Sequence, residues 1–233
     1  MEQYDPDQVA MMEEKVIVID ENDTKIGHGS KKDTHQTSAI NNGLLHRAFS
    51  VFLFDNEGRL SLQQRALEKI TFPGMWTNTC CSHPLNLPGE EETSDDLDQK
   101  IEGVKNAARR KLEQELGIPA DTFSNNDFHF ITRLHYKAVQ DETWSEHEID
   151  YVLFIQADVQ FKPNPNEVMD ARYFSKDELV AFVDDVEAGK HGELKITPWF
   201  RLIMKNFLFP HWDKLAEVTS GSLQRDEAIH RLL

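Results

Sequence analysis

Two hydrophobic periods run through this chain of 233 residues. A period of two, or a short unbroken apolar run, marks a strand, whereas recurrence at three and four residues marks a helix. Val16–Ile19 reads as a buried strand followed by a turn at Glu21-Asn22-Asp23. Ala48–Phe54 and Leu60–Gln64 are strand-like and flank Asp55-Asn56-Glu57-Gly58, with glycine where a positive φ is needed, so they predict a hairpin. Phe128–Ala138 and Glu146–Ile155 predict two more strands, joined by the polar segment Val139–Ser145 and pairing as antiparallel neighbours. Leu97, Ile101, Val104, Ala108 and Leu112 recur at helical spacing until Gly117 and Pro119, which predicts an amphipathic helix over 95–116. Ser175-Lys176-Asp177-Glu178 is a capping box opening a helix to about Gly189, and Thr197-Pro198 opens the next, so two short C-terminal helices are expected.

The stretch Glu68–Pro88 holds three prolines and no sustained period. A long irregular loop in a compact chain is usually functional. Residues 1–14 are acidic and aperiodic and are expected to form a flexible tail, and 86–100 is an acidic insertion with no chemical role assigned. No repeat or linker divides the rest, so 15–233 is expected to be one α/β domain.

Charge narrows the function classes. With 25 Lys plus Arg against 41 Asp plus Glu, the formal charge is −16, which argues against a nucleic-acid backbone as partner. The longest aromatic and aliphatic run, Ala48–Phe54, is far short of the roughly 20 apolar residues that span a bilayer, so no membrane association is expected. Five acids precede the first basic residue, Lys15, the reverse of a signal peptide's start, and a cytoplasmic location is expected. Cys80 and Cys81 are adjacent, which rules out an ordinary long-loop disulfide between them and suits a reducing compartment. Without a heptad or long apolar stripe, the chain is expected to be a monomer.

Candidate chemistry gathers in three groups. His35, His46 and His83 each stand outside a simple core pattern. Glu146 and Glu148 lie one strand period apart, which places both carboxylates on one face about 7 Å from each other. Like charges at that spacing repel unless a cation neutralises them, and histidine with carboxylate suits Zn²⁺ or Mn²⁺; a solvated edge strand would explain the pair as well. Cys81 is two residues from His83, so anything that fixes the histidine fixes the thiol, although a buried structural cysteine is the plainer alternative and is the reading for Cys80. Arg65, Lys69, Lys31 and Lys111 are cations set near acids and a glycine-bearing loop, which suggests an anionic ligand or simply a solvated surface.

Arg110-Lys111-Leu112-Glu113-Gln114-Glu115-Leu116-Gly117-Ile118 resembles the second half of a Nudix box, R-E-U-x-E-E-x-G-U. Lys111 and Gln114 replace two of its metal-binding glutamates and Glu115 keeps the third, which weakens hydrolysis while keeping a Mg²⁺ ligand. With LLHRAFSVFLF, TFPGMWTNTCCSHPL, WSEHEIDY and ITPWF in order around that helix, residues 15 to 213 resemble the type 1 isopentenyl-diphosphate Δ-isomerases. The resemblance implies a single-domain, Nudix-like α/β fold of mixed β-sheets flanked by helices, and an isomerase of isoprenoid and sterol biosynthesis. It implies a metal site from His35, His46, His83, Glu146 and Glu148, holding one Zn²⁺ or Mn²⁺. It implies Cys81 and Glu148 as the catalytic pair, with Tyr136 hydrogen-bonded nearby and Trp199 as the active-site tryptophan. Lys31, Arg65, Lys69 and Lys111 match diphosphate-binding cations, and Glu115 with the Cys81 carbonyl matches the holder of a diphosphate-bridging Mg²⁺. The competing readings are a Nudix-type diphosphohydrolase and a catalytically silent, metal-stabilised interaction domain.

Overall fold

The computed structural model describes residues 3–233. In chain order the strands are β1 (Lys15–Ile19), β2 (Lys25–Ser30), β3 (Leu45–Phe54), β4 (Leu60–Arg65), β5 (Trp76–Asn78), β6 (Cys80–Ser82), β7 (His129–Val139), β8 (Ser145–Gln156), β9 (Val168–Phe174) and β10 (Ile229–Arg231). The helices are α1 (Pro6–Met11), α2 (Lys31–Thr34), α3 (Thr37–Asn41), α4 (Leu97–Leu116), α5 (Lys176–Glu187), α6 (Pro198–Ile203), α7 (Phe209–Trp212) and α8 (Leu215–Thr219).

Strand β3 is buried along its whole length, as an apolar run must be when both faces of its sheet are covered. It pairs in parallel with β8, from His46 opposite Glu148 to Phe54 opposite Gln156. The main sheet runs β10-β7-β8-β3-β1-β2, with β6 on part of β3, while β4 carries β5 and β9 in a branch. One face packs Phe49, Val51, Tyr151 and Leu153 against Val104, Ala108 and Leu112 of α4. The other packs Phe52, Val152 and Phe154 against Trp199, Phe200, Ile203 and Trp212 of the C-terminal helices.

The long helix follows its sequence signals. Asp96 caps it by accepting from the Gln99 amide at 3.1 Å, and Gly117 closes it at φ +65°, where a side chain would also meet the Lys162 backbone. Both halves of the Ser175/Glu178 capping box are formed at α5. β7 and β8 pair antiparallel as expected, from His129↔Phe154 to Val139↔Ser145.

Other expectations are corrected. The turn 55–58 closes as read, with the Asp55 amide donating to the Arg59 carbonyl at 2.9 Å and Gly58 at φ +76°. The hairpin does not extend: β3 and β4 meet only at Phe54↔Leu60, because β6 takes the edge of β3 while β4 turns to β5 and β9. The stretch 68–88, read as irregular, contains β5 and β6. Residues 6–11, read as part of a loose tail, form α1, with Asp5 accepting from the Asp7 amide at 2.9 Å and Gln8 bonded to Asn166. Tyr4 and Val9 pack on Met12, Ile70 and Trp144. A turn and a half of helix is too short to show a period. The C-terminal region also exceeds the two helices expected: α6 continues through a π turn into α7, then come α8 and β10, which joins β7 in parallel.

The acidic insertion is fastened to α4. Arg110 donates to both oxygens of Glu90, at 2.5 and 2.9 Å, and Glu90 accepts from the Leu85 amide at 2.9 Å. Gly103 is the contact point on the helix: a Cβ there would overlap the Glu90 backbone carbonyl. Gly103→Ala is therefore expected to lower unfolding free energy by about 1–3 kcal/mol, the cost of overpacking, and urea titration followed by circular dichroism measures it.

Candidate active site and metal centre

The parallel register of β3 and β8 places His46 beside Glu148. The antiparallel register of β7 places Tyr136 opposite the same glutamate. His35 is the C-cap of α2, and His83 follows β6, which lies antiparallel on β3. Three separate chain segments thus bring their histidines to the two carboxylates of one strand. His35, His46, His83, Glu146 and Glu148 are all buried, and one ligand atom from each lies within 4.8 Å of every other. His35 Nε2 is 2.9 Å and His46 Nε2 3.6 Å from Glu146 Oε2, while His46 Nε2 is 3.3 Å and His83 Nε2 2.7 Å from Glu148 Oε1.

Titration behaviour follows from this crowding. Burial pulls the His46 pKa down, but the adjacent Glu146 and Glu148 carboxylates, which favour the protonated ring, outweigh it and raise it to about 9. His83 is driven to about 3 by burial, against the pull of Glu148. Burial and Glu146 push the Glu148 carboxyl up, yet His46 and His83 bring it down to about 2. Burial would raise Glu146 as well, but His35 and its neighbours hold it well below the usual carboxylate range. His35 Nε2, both nitrogens of His46 and Glu146 Oε2 are buried without a well-formed hydrogen bond. Buried polar atoms aimed at one point in this way are what a three-nitrogen, two-carboxylate metal site requires, so the residues fit a divalent ion of the Zn²⁺ or Mn²⁺ kind.

Cys81, Glu148, Tyr136 and Trp199 line one pocket with Lys31, Arg65, Lys69, Lys111 and Glu115. Every site residue singled out in the sequence therefore converges here or in the adjoining cluster. The Tyr136 hydroxyl donates to Glu148 Oε2. Burial pushes the Cys81 thiol up to about 12, opposed by the Arg65 guanidinium, whose nearer nitrogen is 3.8 Å from Sγ. The same guanidinium lies 5.7 Å from the centre of the Trp199 ring, and Phe72 meets that ring edge-on. Cys80 is wholly buried in the core beneath α4, as a packing residue would be.

At the far end of the pocket Lys111 lies 3.2 Å and Lys69 3.7 Å from Glu115, which also accepts from Gln63 at 2.9 Å. Lys111 and Gln114, the first donating to Oε1 of the second at 3.1 Å, stand where the Nudix pattern has metal-binding acids. The helix thus presents a cation where a hydrolase gathers carboxylates.

Two residues were not singled out in the sequence. Glu167, just before β9, is almost fully buried; its carboxylate accepts from Lys69 and lies 3.8 Å from Lys111. No local pattern announces it, since it arrives from a remote loop. Asp150 is the third carboxylate on the face of Glu146 and Glu148, and the same period of two would have found it. It accepts from Ser50 at 2.8 Å, and burial with the charge of Glu148 pushes its carboxyl well above the ordinary range.

A family model for the NUDIX domain matches residues 44–200. A solved structure from Deinococcus radiodurans superposes with a TM-score of 0.53 at 17% identity, covering 83% of this chain and 99% of that one. The fold is therefore that of the Nudix proteins. Curated relatives narrow the class. The isopentenyl-diphosphate delta-isomerase of Schizosaccharomyces pombe is 49% identical over 98% of this chain and 95% of its own. That of Dictyostelium discoideum is 53% identical over 96% and 92%, and that of Aspergillus fumigatus 51% over 98% and 82%. The chain belongs to the isopentenyl-diphosphate Δ-isomerases, a family of isomerase enzymes. No helix among the described residues is long and apolar enough to cross a membrane.

Stripping divalent metal with a chelator is expected to lower Tm by roughly 5–10 °C, the effect of a ligand present at about a hundred times its Kd. Zn²⁺ or Mn²⁺ should restore the transition in the parent chain and fail to do so in Glu146→Gln; calorimetry with and without chelator measures both.

Proposed function

We propose that this chain interconverts isopentenyl and dimethylallyl diphosphate through protonation and deprotonation. The observation that carries the reading is one pocket lined by the Cys81 thiol, the Glu148 carboxylate and the Trp199 ring together with four basic side chains, Lys31, Arg65, Lys69 and Lys111. An unactivated alkene is a very weak base, so a proton must reach its terminal carbon from a group held against it. Addition of that proton leaves a tertiary carbocation at C3. Loss of a proton from C2 then forms the internal double bond, and the proton count balances with no co-reactant.

Burial favours the protonated form of Cys81 and the histidines keep Glu148 ionised, so the two can serve as acid and base toward the five-carbon chain, with their roles exchanged in reverse. The Tyr136 hydroxyl orients the Glu148 carboxylate. The Trp199 ring lies where a guanidinium already rests against it, so its negative face suits a carbocation, an interaction worth up to ~2 kcal/mol when desolvated. Lys31, Arg65, Lys69 and Lys111, which line the same pocket, would grip the diphosphate and so discourage its departure from the allylic product.

His35, His46, His83, Glu146 and Glu148 would hold one Zn²⁺ or Mn²⁺, which supplies fixed positive charge to the two carboxylates when bound. Glu115, the acid that the helix keeps in the pocket, would help hold a Mg²⁺ that neutralises diphosphate charge. The expected setting is a cytoplasmic monomer serving isoprenoid and sterol synthesis, which accords with the strongly acidic surface and the adjacent free thiols. The Nudix-hydrolase alternative is opposed by Lys111 at 3.2 Å from Glu115 in place of an acid.

Incubation with isopentenyl diphosphate and Mg²⁺ in deuterated water, followed by NMR, should give dimethylallyl diphosphate carrying deuterium. Cys81→Ala and Glu148→Gln should each lose at least about 10²-fold in kcat, the scale of one acid–base group. An unchanged alkene spectrum from folded, metal-loaded protein, or inorganic phosphate release without bond migration, would overturn the reading.

A further inference from the structure

Cys81 and Trp199 come from distant parts of the chain, one on β6 and one on α6, yet both end on the same two residues of β5. The Trp199 indole N–H donates to Asn78 Oδ1 at 3.2 Å, and Thr77 Oγ1 lies 3.9 Å from Cys81 Sγ. Thr77, Asn78, Thr197 and Trp199 are all buried, so each polar hydrogen needs a partner within the protein.

That requirement sets the direction of the network. The Asn78 amide nitrogen donates to the carbonyls of Val51 at 3.1 Å and Cys80 at 2.8 Å, which uses both of its hydrogens. Its oxygen must therefore face Thr77 and Trp199. The Thr77 hydroxyl donates its one hydrogen to that oxygen at 2.9 Å and accepts from the Thr197 hydroxyl at 2.8 Å. What remains on Thr77 Oγ1 is a single lone pair, and Cys81 is the neighbour left to fill it. Thr77 can only accept from the thiol.

The supporting backbone is equally tied. The Trp76 amide donates to the Lys195 carbonyl and the Thr197 amide to the Trp76 carbonyl, each at 2.9 Å, so the entry to α6 is zipped onto β5. Thr197 occupies the N-cap position of α6, but its hydroxyl caps nothing. It is diverted to Thr77 instead.

We propose that Thr77 is a positioning residue: by accepting the Cys81 S–H it fixes where Sγ stands in the pocket wall and, through Asn78, ties that position to the Trp199 ring. The proposal rests on the isomerase reading above. It makes the separation of thiol and indole a property of one three-residue strand.

Thr77→Val keeps the shape and removes the acceptor. In the NMR assay kcat should fall about tenfold, the weight of one net hydrogen bond, while KM stays within about twofold because the lysines that grip the diphosphate are untouched. Thr77→Ser restores the acceptor and should recover most of kcat. Thr77→Ala provides the same comparison should the valine variant not fold. A loss merely of packing would lower Tm and would not separate Ser from Val in kcat. Wild-type kcat in folded Thr77→Val or Thr77→Ala, or a Thr77→Ser as impaired as either, would overturn the proposal. If the parent chain itself does not isomerise the substrate, the isomerase reading falls instead.

Discussion

Two carboxylates held side by side in the interior are the constraint from which the site follows. Glu146 and Glu148 share one face of β8 by the two-residue period of a strand, and burial there would protonate or expel them if they stood alone. The three histidines that offset them come from α2, β3 and the segment after β6. The layout of the first half of the chain is therefore tied to the second by these polar contacts as well as by packing. His83 is part of that compensation, and Cys81, two residues earlier, is fixed in consequence.

Much of this was legible in the sequence because it rests on short-range geometry. The period of two found Glu146 with Glu148, the period of 3.6 found α4, and Ser175 with Glu178 marked the start of α5. The failures have physical reasons. β5 and β6 are three residues each and have no period to detect, so the segment that carries Cys81 read as irregular. The 55–58 turn was legible, but which strand would accompany β3 was not, since that depends on β6 arriving from elsewhere. Glu167 lay outside any motif because its partners, Lys69 and Lys111, are remote in sequence.

The degenerate Nudix helix shows how a scaffold changes chemistry at fixed geometry. α4 retains its cap, its buried stripe and Gly117, so it seats against β3 as a Nudix helix does. Replacing acids by Lys111 and Gln114 inverts the local charge, and the helix then offers a cation beside the remaining acid, Glu115. Glu167, 3.8 Å from Lys111, balances part of that charge. The outcome is a surface that sets cations where a hydrolytic metal cluster would need carboxylates.

The β3–β8 pairing also orders events in the life of the chain. Ser50 and Asp150, hydrogen-bonded to each other, are 100 residues apart, and the intervening chain must be arranged before they can meet. Loop closure of that length costs entropy before any contact rewards it, and parallel pairings are slow to form for this reason. The histidine–carboxylate cluster straddles the same closure, with His46 on one side and Glu148 on the other. A partly folded intermediate lacking this pairing would have histidines without their carboxylates. A cluster assembled by this closure is complete only when the fold is, so a metal held there would be a seal on the finished structure rather than a seed for it.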